Sequence, residues 1–143
     1  MPRVLGLDFG TRRIGVAVSD PLGLTAQPVT VLTRRGTPED LEALAALAAA
    51  QGAGTIVLGL PLTPEGRRGP QAQRVLAFGE ALARRTGLPL AYVDERMTTA
   101  QGERALRETG APGRRRRQVI DRVAAQLILQ QYLDGTRRDP TRS

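Results

Sequence analysis

The sequence predicts an α/β fold in which one five-stranded mixed β-sheet carries helices on both faces. Two observations predict it. Three short apolar runs joined by turns open the chain, and from Thr37 onward helical and strand patterns alternate. An antiparallel meander followed by alternating helices and strands implies a mixed sheet, with strands 1 to 3 antiparallel and strands 1, 4 and 5 parallel.

The individual elements follow from local patterns. Predicted strands 3–8 and 14–19 flank a turn at Gly10, which is typical of a β-hairpin. Thr37 as N-cap and Pro38 at the first helical position begin a helix that its alanine and leucine content favours. The other strands are predicted at 28–33, 55–60 and 90–93, and the helices at 37–51, 71–85, 98–109 and 118–133.

The segment before the last helix and the end of the chain are predicted to be irregular. Residues 110–117 hold two glycines, a proline and four consecutive arginines, a composition typical of a mobile loop. In the helix that follows, one face is expected to carry Ile120, Val123, Ala124, Leu127 and Ile128. We therefore expect a single domain, 1–135, and a polar flexible tail, 136–143.

The chain is strongly positive, with 21 basic against 14 acidic residues and a net charge of +7, and every basic residue is arginine. Such an excess favours polyanions as partners, of which nucleic acid is the commonest. The sequence shows neither a signal peptide nor a long apolar stretch. We therefore expect a cytoplasmic protein without a membrane partner.

The absence of two residue types narrows the possible chemistry. The chain of 143 residues has no histidine and no cysteine. Catalysis by Ser-His-Asp or Cys-His groups is thereby excluded, as are ordinary zinc sites and disulfides. Any metal must be held by oxygen atoms, which points to Mg²⁺ or Mn²⁺.

Three acids stand out by position: Asp8 at the end of strand 1, Glu95 at the end of the last strand, and Asp121 in the first turn of the final predicted helix. Sites in such sheets lie beyond the carboxyl ends of the parallel strands. Asp94 and Glu95 should point to opposite sides, so only one of them can join Asp8. Clustered carboxylates of this kind bind divalent cations in two-metal phosphodiesterases.

Each acid also has an alternative, purely structural role. Asp8 can cap the hairpin turn. Glu95 can pair with Arg96 or lie near a helix N-terminus, and Asp121 can interact with the dipole of its helix. Their joint position at strand and helix ends favours the metal site.

Several arginines are candidates for binding nucleic-acid phosphates beside these acids. They are Arg12, Arg13, Arg96, Arg114, Arg115, Arg116 and Arg117. The arginine pairs at 34–35, 84–85 and 137–138 are expected on the surface. Only two phenylalanines and two tyrosines are present, so we do not expect recognition by base stacking.

The motifs together resemble those of the YqgF/RuvX family over nearly the whole chain. They are residues 6–17 (GLDFGTRRIGVA), 59–61 (GLP), 94–96 (DER), 121–125 (DRVAA) and 128–129 (IL). The resemblance implies an RNase H-like fold, similar to Holliday junction resolvases, and a nuclease that processes the 5′ end of pre-16S ribosomal RNA. By the same resemblance Asp8, Glu95 and Asp121 match the family's metal-binding catalytic acids. One departure is the segment 62–66 (LTPEG), where the family usually has asparagine after the GLP motif.

Other functions stay open at this point. A DNA endonuclease that resolves Holliday junctions would need a homodimer for two symmetric cuts, whereas trimming an RNA end would not. The partner is therefore structured precursor rRNA or branched DNA, and the protein a monomer or a homodimer. The turn after strand 1 also resembles the phosphate loop of actin-like ATPases, which need two such domains. A silent nucleic-acid-binding factor would keep the basic surface without needing all three acids.

Overall fold

The computed structural model describes residues 2–95 and 113–138, with the side chains of 121–136 in the second range. The predicted helix 98–109 lies outside the described residues. Within those ranges the strands are β1 (Arg3–Phe9), β2 (Arg13–Ser19), β3 (Ala26–Thr33), β4 (Ala53–Leu60) and β5 (Leu90–Asp94). The helices are α1 (Thr37–Gln51), α2 (Pro70–Thr86) and α3 (Gly113–Arg138).

The strands form one sheet in the order β3-β2-β1-β4-β5. β1 pairs antiparallel with β2, and β2 antiparallel with β3. β4 is parallel to β1 and to β5. The predicted mixed sheet is confirmed, and β1 lies at its centre, where the antiparallel and parallel halves meet.

Side-chain alternation along the central strand gives the sheet two different faces. Leu5, Leu7 and Phe9 of β1 belong to the large core that α1 and α2 cover. The alternate residues Gly6 and Asp8 face the opposite side, because successive side chains in a strand point to opposite faces. On that side the buried apolar residues belong to two smaller clusters built around α3.

Helix α3 approaches the bare backbone of the sheet along three glycines, one on each of three neighbouring strands. A Cβ atom on Gly6 would lie 2.6 Å from Cβ of Leu129. A Cβ on Gly15 would overlap the carbonyl oxygen of Asp121, and one on Gly59 would overlap Cδ1 of Ile128. The glycines therefore set the distance between α3 and the sheet.

The final helix differs from its prediction. It begins at Gly113 instead of at residue 118 and continues to Arg138, so residues 113–117, predicted as loop, and 136–138, predicted as tail, are helical. Arginine is a strong helix former, and four arginines in succession outweigh the neighbouring glycines and proline. Asp121 therefore lies about two turns inside the helix and not in its first turn.

The buried face of α3 was also predicted only in part. Ile128 is buried as expected, but Val123, Ala124 and Leu127 are half-buried. The residues that the sheet covers are instead Ala125, Ile128, Leu129 and Leu133. The glycines of the sheet select this face, because only there can the helix reach the strand backbone. Although α3 has 26 residues, no helix within the described ranges is long and apolar enough to cross a membrane.

Helix α1 is anchored at its first turn by a buried carboxylate. Gly36, and not Thr37, is the N-cap, and no side chain caps the helix. Asp40, 4% exposed, accepts hydrogen bonds of 3.0 Å from Nε of Arg34 and from the backbone N–H of Arg35. The Arg34 guanidinium carbon lies 4.4 Å from the centre of the Phe9 ring. Arg34 is therefore part of the packed structure, and its assignment to the surface was wrong.

We expect Gly15→Ala to destabilise the protein by about 2 kcal/mol or more, because the new methyl group would meet a helix carbonyl that cannot turn aside. Gly135→Ala, in the same helix-bearing half of the molecule but with open space around it, should be neutral or stabilising by up to about 1 kcal/mol. Urea unfolding of both variants measures the difference. Equal stabilities of the two would contradict the close approach of α3.

We expect Asp40→Ala to lower the free energy of unfolding by about 2 kcal/mol, since it leaves the half-buried Arg34 guanidinium without its carboxylate. Glu42→Ala removes an exposed acid from the same helix and should change the stability by less than about 0.5 kcal/mol. Thermal unfolding monitored by circular dichroism compares the two, and a loss of similar size in both would argue against an anchoring role.

Candidate active site

Asp8 is the penultimate residue of β1 and projects from the middle of the sheet toward α3. Its β2 partner is Gly15. On the other side, Leu7 of β1 pairs with Leu58 of β4. Gly59 follows Leu58 and therefore lies beside Asp8. Asp8 is thus flanked on both sides by residues without side chains. The carboxyl group has room beneath α3 for this reason, although Asp8 is half-buried.

Glu95 comes to Asp8 from the edge strand of the parallel half of the sheet, β5. It follows β5 directly, and its carboxyl carbon lies 3.4 Å from where a Cβ of Gly59 would be. Its side chain forms a hydrogen bond with Asp8. The preceding residue, Asp94, is in register with Leu60, which belongs to the core on the other face. Of the two neighbouring acids, the structure therefore brings Glu95 to Asp8.

Asp121 comes to the site from α3. Its backbone carbonyl lies against Gly15, and its carboxylate oxygen Oδ2 accepts a hydrogen bond of 2.5 Å from Nε of Arg13. The negative charge of Asp121 also acts on Asp8. The three acids chosen from the sequence are thus neighbours in space, although β1 and α3 lie at opposite ends of the chain. Their catalytic role stays a prediction.

The cluster strongly disfavours a negative charge on Asp8. Burial, the hydrogen bond with Glu95, and the charges of Glu95 and Asp121 together raise the pKa of Asp8 from 3.8 to about 9. Two carboxyl groups can share a hydrogen bond only if one of them carries a proton. Asp8 is therefore protonated at neutral pH in the metal-free protein.

The donor chemistry of the cluster fits a hard divalent cation. Its potential ligands are carboxylate oxygens, which Mg²⁺ and Mn²⁺ prefer, and a cation would relieve the repulsion that raises the pKa of Asp8. Within the described residues, however, no three acids are gathered closely enough to form a ready metal site. Asp121 instead pairs with Arg13.

The arginines predicted to bind nucleic acid lie in different parts of the structure, and some lie outside the described residues. Arg12 is exposed in the turn between β1 and β2, and Arg13 begins β2. Arg114 to Arg117 lie in the first turns of α3, with side chains outside the described part of the structure. Arg96 also lies outside it.

Residues that the sequence analysis did not single out complete the surroundings. Gly15 and Gly59 make room for the acids, and no local pattern in the sequence shows that a helix lies over them. On the opposite face of β1, a pocket of about 310 Å³ is lined by residues that include Phe9, Arg34 and Phe78. The two phenylalanine rings are buried and stacked on each other, 4.2 Å apart. They serve packing on the face away from the acids.

The raised pKa of Asp8 predicts a specific pH dependence of stability in the metal-free protein. A carboxyl group whose pKa rises on folding stabilises the fold below its unfolded pKa and loses this contribution as the pH rises through the folded value. The stability of the wild type should therefore decline between pH 4 and pH 9 relative to Asp8→Asn. At pH 8 in EDTA we expect Asp8→Asn to melt about 3–6 °C higher.

Differential scanning calorimetry across that pH range measures this difference. Glu42→Gln, which neutralises an exposed acid, serves as the control and should show no such trend. An Asp8→Asn advantage that does not grow with pH would show that the pKa of Asp8 is not raised.

Two solved structures have a fold similar to that of this chain. The Thermus thermophilus protein RuvC in complex with a Holliday junction substrate has a TM-score of 0.63 at 15% identity, with 96% of this chain and 97% of that chain covered. The fowlpox virus resolvase with its Holliday junction DNA has a TM-score of 0.56 at 10% identity, covering 93% and 97%. At these identities the likeness concerns the fold alone.

Sequence relatives are much closer. A protein of Moorella thermoacetica, named "Putative pre-16S rRNA nuclease", is 52% identical over 132 residues, 92% of this chain and 94% of the relative. One of Myxococcus xanthus with the same name is 47% identical over 139 residues, 97% and 92%. Residues 2–135 match the family model described as "RuvX: Holliday junction resolvase". With most of the chain matched and relatives this similar, the protein belongs to the RuvX family.

Proposed function

We propose that this protein is a divalent-metal-dependent endonuclease that hydrolyses phosphodiester bonds in precursor ribosomal RNA, at the 5′ end of pre-16S rRNA. The observation that carries the proposal is the convergence of Asp8, Glu95 and Asp121 beneath α3, at the carboxyl ends of β1 and β5. Membership of the RuvX family and the name of its close relatives support the choice of reaction and substrate. Such a substrate would be met in the cytoplasm.

The chemistry follows from what these acids can do. Asp8 and Glu95 would hold Mg²⁺ or Mn²⁺ through carboxylate oxygens, with Asp121 as a further ligand. When bound, the metal would supply an activated water and stabilise the charge that develops on the phosphate. Binding requires Asp8 to release its proton. The three glycines let α3 shield this place from bulk water, which strengthens every electrostatic interaction in it.

Substrate binding would rest on arginine contacts to the sugar–phosphate backbone. Arg12 is exposed in the turn that follows β1, and Arg13 pairs with Asp121 of the cluster. We include Arg96 and Arg114–Arg117, which neighbour Glu95 and precede Asp121 in the sequence. Phosphate contacts of this type position a strand without reading its bases. The burial of Phe9 and Phe78 agrees with recognition of the backbone and not of stacked bases.

Resolution of Holliday junctions is the second candidate. The observation in its favour is the similarity in fold to two resolvases solved with junction DNA. Because two symmetric cuts require a two-fold dimer, this function predicts a homodimer in solution, whereas cleavage at one RNA end can be carried out by a monomer. Light scattering during size-exclusion chromatography distinguishes these states.

The proposal predicts that wild-type protein with Mg²⁺ or Mn²⁺ cuts a labelled fragment of precursor 16S rRNA, and that EDTA abolishes the cut. Asp8→Asn, Glu95→Gln and Asp121→Asn should each lower the rate at least about 100-fold, because each removes a charge that the metal needs. Glu42→Gln should cut as fast as wild type.

The same assay with a synthetic four-way DNA junction at equal ionic strength tests the second candidate. Faster cleavage of the junction than of the RNA would favour resolvase activity. Cleavage by Asp8→Asn at the wild-type rate would contradict the acid site, and binding of both nucleic acids without cleavage would show a silent binding factor.

A further inference from the structure

We infer that Arg13 is an internal cation of the acid cluster: it occupies the Asp121 carboxylate in the metal-free protein and must be displaced before that carboxylate can bind a divalent cation. Arg13 is then free to bind a substrate phosphate. The inference rests on the proposed function, since it concerns how the metal gains access to the proposed ligands.

The contact itself is short and partly shielded from water. Nε of Arg13 lies 2.5 Å from Oδ2 of Asp121, with 29% and 17% of the two side chains exposed. A guanidinium cannot lose its charge at ordinary pH.

The fold places both partners, and neither position depends on a flexible loop. Arg13 and Gly15 are two residues apart on β2, so they lie on the same face of the sheet. Gly15 is both the partner of Asp8 and the residue against which the Asp121 carbonyl rests. Arg13 is thus directed toward the acids, whereas its neighbour Arg12 lies exposed in the turn.

The arrangement of the acids indicates that Arg13 competes with the metal for Asp121, and does not orient Asp121 for metal binding. If Arg13 oriented Asp121 for a metal, the three acids should already be grouped, as the ligands of a preformed site are. Among the described residues no such group is present, while Asp8 and Glu95 are joined by a hydrogen bond and Asp121 is held by Arg13. In the metal-free protein Arg13 therefore occupies an oxygen of one of the three proposed ligands.

Displacement would also give Arg13 a second role. A guanidinium binds carboxylate and phosphate with the same planar geometry. Once the metal has taken Asp121, a phosphate of the substrate is the natural replacement partner for Arg13. Metal binding and substrate binding are thereby coupled in sequence: the metal enters first, and the freed arginine then contacts the strand.

Isothermal titration calorimetry of Mn²⁺ into the full-length protein, without nucleic acid, tests the inference. We expect Arg13→Gln to bind Mn²⁺ at least about threefold more tightly than wild type. In this variant the partly exposed ion pair with Asp121 is absent and no longer competes with the cation. Arg12→Gln removes the same charge from the adjacent position and should change the affinity by less than about twofold. Arg13→Lys, which keeps the charge, should bind less tightly than Arg13→Gln.

Far-UV circular dichroism confirms that each variant is folded, and the Asp121→Asn background supplies a further check. There, Arg13→Gln should no longer tighten Mn²⁺ binding, because the competing pair is already absent. Weaker or unchanged binding by Arg13→Gln, or equal tightening by Arg12→Gln, would overturn the inference and leave the proposed function intact. If neither the wild type nor any variant bound Mn²⁺, both would be wrong.

Discussion

The close approach of α3 to the sheet is the constraint on which the rest of the structure depends. Gly6, Gly15 and Gly59 remove the side chains that would hold the helix away. With larger residues at these positions, a layer of side chains would separate α3 from the sheet. Asp121 would then lie farther from Asp8 and Glu95. The glycines thus convert a helix that covers a sheet into a helix that contributes a carboxylate to it.

This proximity has an electrostatic cost. Three carboxyl groups meet in a partly desolvated place, and the raised pKa of Asp8 measures how unfavourable that is. Two features offset the cost in the metal-free protein: the proton on Asp8, and the guanidinium of Arg13 that pairs with Asp121. The large core on the other face, under α1 and α2, supplies stability from residues that have no part in the cluster. The acid cluster and the large core thus lie on opposite faces of the same strands.

Much of this arrangement could be predicted from the sequence. It follows from the alternation of helices and strands along the chain and of side chains between the two faces of a strand. The order of strands and helices implied the mixed sheet, and the two-residue period of a strand implied that only one of Asp94 and Glu95 could join Asp8. What could not be predicted depends on contacts between distant residues. The start of α3 was misplaced because glycine and proline suggested a loop where the arginines continue a helix. Arg34 was assigned to the surface because nothing local shows that Asp40 is buried beneath it. The spacing role of the glycines was invisible for the same reason.

The pairing of Arg13 with Asp121 joins residues separated by 108 positions, and this separation has a consequence for biosynthesis. β1 and β2 are the first elements to be made, and α3 is the last that the structure describes. A nascent chain can form the meander and the α1–α2 core early, but it has no complete acid cluster until the C-terminal helix has left the ribosome and docked. If the cluster is the active site that we propose, the enzyme would gain its activity only after the C-terminal helix has docked on the sheet.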